Sequence, residues 1–197
     1  MNGIRSDDRG AAGQVLPGDG LSTVEALLTG GDPQRLRNVD LVVDAASGQP
    51  GRLAELVECV FSEDEIVRMR ASDALEKVCR AQPGLVQPFV PRLLTEMSRI
   101  DQASVQWHLA QILTEVQLDE RQRAEAIAIL ERYLDTSGDW IVTNLSLQAL
   151  ATFARTSPEV RARLAGRLHR YERSRYRSVS SRARKLLAEF GAGPQPP

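Results

Sequence analysis

Apolar residues recur at steps of three and four in four stretches that align without a gap: IVRMRASDALEKV (66 to 78), SVQWHLAQILTEV (104 to 116), IVTNLSLQALATF (141 to 153) and SVSSRARKLLAEF (178 to 190). The first stripe is Val67, Ala71, Ala74, Leu75 and Val78, and the second is Val105, Leu109, Ile112, Leu113 and Val116. The third is Val142, Ser146, Ala149, Leu150 and Phe153, and the fourth is Val179, Ala183, Leu186, Leu187 and Phe190. Such steps place residues along one face of a helix, whereas a strand would require strict alternation. Each stretch follows another amphipathic segment, at 51 to 61, 85 to 98, 121 to 135 and 159 to 173. Every unit is therefore predicted to be an antiparallel helical hairpin, and no strand is expected.

The leading valines Val67, Val105, Val142 and Val179 lie 38, 37 and 37 residues apart. A period of that size in helical sequence predicts a tandem array, an α-solenoid. Turn chemistry marks the units. Ser62 and Glu65 have capping-box spacing, and Asp101 and Asp139 stand just before their stripes, where a carboxylate can accept from free backbone N–H groups. Pro83 and Pro158 each lie sixteen residues after a leading valine and are predicted to open the next hairpin. The fourth copy has Arg175, Tyr176 and Arg177 in place of an acidic cap, as an atypical terminal repeat would.

The period, the hairpin and the branched residue followed by R-x-x-A-L in IVRMRASDALEKV resemble HEAT repeats, and the chain from about residue 33 to 190 resembles small bacterial HEAT-repeat proteins. The resemblance implies an all-α fold, a right-handed α-α superhelix of about four to five hairpins. HEAT units often carry in the second helix an arginine that pairs with a neighbouring unit. The equivalent positions here are Arg70, His108, Leu145 and Arg182.

The domain reading is a disordered segment at 1–20, rich in glycine and without apolar period, a single helical-repeat domain at 21–190, and a Gly/Pro tail at 191–197. Ser22 and Glu25 predict a short helix over 21–29, which Gly30, Gly31, Asp32 and Pro33 end. No basic start with an apolar core and no run of about 18 apolar residues occurs, so a cytoplasmic location is expected. Cys59 and Cys79 are expected about 18 Å apart along their hairpin. That is beyond disulfide reach, so both read as buried thiols.

Charge is unevenly placed. Residues 159 to 190 hold ten basic groups against Glu159, Glu172 and Glu189, a balance of +7 that leaves −8 for everything before them. Arg163, Arg167 and Arg170 share a face and, with Arg175, Arg177 and Arg184, are candidates to contact phosphates or an acidic surface. The alternative is a solvated cap on the last unit.

Catalytic chemistry has little to build on. His108 and His169 have no second ligand at metal spacing, and no Walker, dinucleotide or G-x-S-x-G pattern occurs, so no metal and no cofactor is expected. HEAT-like DNA glycosylases suggest a third reading, with Trp107 as the aromatic residue. Gln111 and Glu115 are the side chains one and two turns on, and the middle repeats are not basic.

The favoured expectation is a non-enzymatic protein-binding scaffold, with a nucleic-acid module on the last hairpin as runner-up. Its contact residues lie between the core positions: Arg68, Met69, Ser72, Gln106, Trp107, Gln111, Asn144, Gln148, Ser181 and Lys185. Trp107 either anchors a partner or covers an adjacent helix, His108 reads as a structural hydrogen bonder, and Trp140 is expected to close its own hairpin.

Overall fold

The computed structural model describes residues 23–29 and 38–191. The expected disordered segment, Ser22, the breaker at 30–33 and the tail after Gly191 lie outside the described residues. Among the described residues every regular element is helical: α1 (Val24–Leu28), α2 (Val39–Gly48), α3 (Pro50–Cys59), α4 (Glu65–Ala81), α5 (Pro83–Val86), α6 (Val90–Thr95), α7 (Ala103–Glu115), α8 (Glu120–Thr136), α9 (Trp140–Ala154), α10 (Pro158–Tyr171) and α11 (Arg177–Gly191).

The four stripes occupy α4, α7, α9 and α11. Every stripe position is buried except Leu187, which is half-buried. Burying a large aliphatic side chain contributes about 1.5–3 kcal/mol, so these faces dominate the packing. The stripe helices touch in succession, α4 with α7, α7 with α9 and α9 with α11, while α8 packs on α9 and α10 packs on both α9 and α11.

Polar contacts repeat the same spacing. Arg68 donates to Gln102, Tyr133 and Arg132 to the Ser98 carbonyl, Tyr171 to the Leu134 carbonyl, and Arg155 to Glu189, at separations of 34 to 37 residues. Arg92 pairs with Glu58 at 34 residues, and the hydrogen bond holds the Glu58 carboxyl below its usual range.

Several local expectations are corrected. The segment 85 to 98 is not one helix: a 3-10 turn at Gln87–Phe89 separates α5 from α6, and another follows at Met97–Arg99. Pro88 and Pro91 explain the break, because proline lacks the N–H and crowds the preceding turn. The N-cap of α4 is Asp64, whose Oδ1 accepts from Ile66 at 2.8 Å, whereas the Ser62 hydroxyl donates to Glu25. Gln102, not Asp101, precedes α7, with no side-chain cap bond. Asp139 caps α9, accepting from Ile141 at 2.7 Å and Val142 at 3.0 Å, and Pro83 and Pro158 open α5 and α10.

Helix α2 precedes the first predicted hairpin and packs on α3 and α4. Its buried Val39, Val42 and Ala46 keep helical spacing, a signal in the sequence too short to be paired with another copy. Cys59 and Cys79 are free and buried, and burial pushes both thiols up to about 12. No described helix is long and apolar enough to cross a membrane.

Candidate binding surface

In three of the four stripe helices the residue three positions after the leading valine reaches back to an earlier helix. Arg70 donates to the Leu28 carbonyl at 2.6 Å, His108 meets the Ser72 hydroxyl at 3.1 Å, and Arg182 donates through Nε to the Asn144 side-chain oxygen at 2.7 Å. Leu145, the fourth equivalent, packs against the core instead.

This geometry removes part of the predicted contact set from the surface. Ser72 has no exposed area, and its hydroxyl donates to the Met69 carbonyl at 2.9 Å. Gln106 is 9% exposed and donates to the Ile100 carbonyl. Arg68 is tied to Gln102 and to the carbonyls of Ser62 and Glu63, and Asn144 accepts from Arg182. Arg68, Ser72 and Asn144 link neighbouring units, and Gln106 is bonded locally. Short polar side chains at helical spacing look alike in sequence whether they face water or a neighbouring helix. Met69, Trp107, Gln111 and Ser181 are half-buried, while Gln148 and Lys185 are exposed.

At the centre lies a chain of hydrogen bonds. Trp107 donates its indole N–H to His108 Nε2 at 3.1 Å. An indole nitrogen can only donate, so Nε2 accepts and the ring proton sits on Nδ1, which donates to Ser72. Asp73 lies 3.5 Å from Nε2 and pairs with Lys77 at 3.0 Å. Burial would raise the Asp73 carboxyl, but its interactions with His108 and with the Lys77 ammonium together outweigh it and hold the carboxyl below its usual value. Ser72, His108 and Asp73 together have the composition of a hydrolytic triad. The serine, however, is inaccessible and already gives its proton to a carbonyl, so the cluster binds α4 to α7.

The basic hairpin is partly neutralised. Arg163 pairs with Glu131 at 3.0 Å, and Arg167 and Arg170 both pair with Asp135, all from α10 to α8. Arg175 lies over the Tyr176 ring at 4.8 Å, and Arg184 donates to the Glu172 carbonyl and to Ser180. Arg177 is exposed. The acidic partners were visible in the sequence: Glu131 and Asp135 are four apart, as Arg163 and Arg167 are, and lie 32 residues earlier. Trp140 is 40% exposed and stacks on Tyr176 of the next unit at 6.2 Å.

Among the described residues no group of three His, Cys, Asp or Glu side chains could hold a metal ion. No protein-family model matches the chain, and no curated protein matches it significantly.

Proposed function

We propose that the chain is a HEAT-like α-solenoid with a right-handed superhelical course, acting as a non-enzymatic scaffold that binds a protein partner along α4, α7, α9 and α11. The observation that carries this reading is the succession of contacts among those four helices, reinforced by hydrogen bonds at one repeat length. Side chains between the core positions then recur from unit to unit as one strip. Met69 and Trp107 supply half-buried apolar anchors, and Gln111, Gln148, Ser181 and Lys185 supply polar contacts around them.

The nucleic-acid reading of the last hairpin is less well supported, because Arg163, Arg167 and Arg170 already face Glu131 and Asp135. Capture on immobilised full-length protein, with and without nuclease, separates the two. A discrete protein retained after nuclease supports the scaffold. Retention that nuclease abolishes favours phosphate contacts by the remaining arginines.

A further inference from the structure

Between α9 and α11 opens a cleft of about 340 Å³. Its α11 wall is the stripe Ser178, Ser181, Arg182, Lys185 and Glu189, next to the buried stripe of the same helix, and Asn144 and Arg155 face it from α9. Three cations thus share the cleft with one acid. That acid is already engaged: Glu189 accepts from Arg155 Nε at 2.9 Å and Nη2 at 3.3 Å.

Arg182 is different. It is half-buried, it gives only Nε to Asn144, and among the described residues no carboxylate pairs with it or with Lys185. Loss of water lowers the Arg182 pKa, with no counter-charge acting against it. A guanidinium withdrawn from solvent without an anion is unfavourable, and a bound oxyanion relieves that. Arg182 has its terminal amino groups left over, Lys185 adds a compact charge one turn on, and the hydroxyls of Ser178 and Ser181 line the same wall.

We propose that this cleft is a carboxylate-binding site, in which the terminal amino groups of Arg182 and the ammonium of Lys185 take an Asp or Glu side chain from an acidic segment of the protein partner. The inference rests on the scaffold reading and adds the chemistry of the partner. A peptide carboxylate fits better than a nucleic-acid strand because the Arg155–Glu189 pair shows a planar carboxylate on a guanidinium in the same cleft.

The test uses the full-length protein and a fluorescein-labelled oligoglutamate peptide, followed by anisotropy, with oligothymidylate of equal charge as the second probe. The peptide is expected to bind saturably, to weaken with salt, and to lose about tenfold or more in affinity with Lys185→Glu and with Arg182→Gln. Arg163→Glu, outside the cleft, is expected to leave peptide affinity within about twofold. Lys185 is exposed, so Lys185→Glu keeps the test sound even if Arg182→Gln disturbs packing. Absence of saturable peptide binding, indifference to Lys185→Glu, or tighter binding of oligothymidylate would overturn the proposal. If the peptide fails while a captured protein still depends on Gln111 and Gln148, the cleft alone falls. If both fail, the scaffold reading falls as well.

Discussion

The indole N–H of Trp107 donates to Nε2 of His108 across 3.1 Å, and that single bond sets the tautomer on which the α4–α7 contact depends. With Nε2 occupied as an acceptor, the Nδ1 proton reaches Ser72 and the Ser72 proton reaches Met69. Trp107→Phe removes the donor and leaves Nε2 facing Asp73. The expected cost is about 1–2 kcal/mol, read as a lower urea midpoint at neutral pH. An unchanged midpoint would show that the chain contributes nothing to the contact.

Acid stability follows from Asp73. Its folded carboxyl titrates below its ordinary value of 3.8, so it binds fewer protons than the unfolded chain over that interval. Its contribution is complete above the ordinary value and is lost as pH falls through the depressed one. Asp73→Asn is expected to be less stable than the parent at pH 7, with the gap narrowing as pH falls from about 5 to about 2. A gap that stays constant over that range would remove Asp73 from the acid response.

Ser146 stands in the third stripe where the first and fourth copies carry Ala71 and Ala183, and its hydroxyl is fully buried without a hydrogen-bond partner. An unsatisfied buried hydroxyl costs about 1–3 kcal/mol, while alanine leaves only a small void. Ser146→Ala is therefore expected to raise stability by about 1 kcal/mol in denaturant melts. A loss of stability would mean that the hydroxyl is satisfied in solution.

The stripes were legible because burial on one helix face forces steps of three and four, and four aligned copies leave no freedom in register. Two kinds of feature were hidden. The proline pair Pro88 and Pro91 breaks its segment without changing its amphipathic look, so a continuous helix was expected where α5 and α6 stand. Ser72, Gln106, Asn144 and Arg68 read as surface residues because they are polar, and their partners in neighbouring units lie 34 to 38 residues away or on local carbonyls. The Arg182–Asn144 contact that borders the cleft was hidden for the same reason.

The two acidic residues that precede stripes are not equivalent. Asp139 accepts from two N–H groups at the start of α9, whereas Asp101 makes no cap bond to α7. Asp139→Ala is expected to cost about 1 kcal/mol, and Asp101→Ala to stay within about 0.5 kcal/mol of the parent, by thermal or urea unfolding. Equal costs would contradict the observed caps.

The central claim is that a protein partner docks on the strip formed by the second helices, and Gln111 and Gln148 report on it most directly, being half-buried and exposed on α7 and α9. The decisive measurement is the calorimetric affinity of a nuclease-resistant captured partner for the parent and for the Gln111→Glu/Gln148→Glu double variant, after unfolding curves show that both are folded. A loss of about tenfold or more is predicted, since the added charges face the partner's desolvated surface. Equal affinity for the two proteins would place the partner elsewhere and contradict the account.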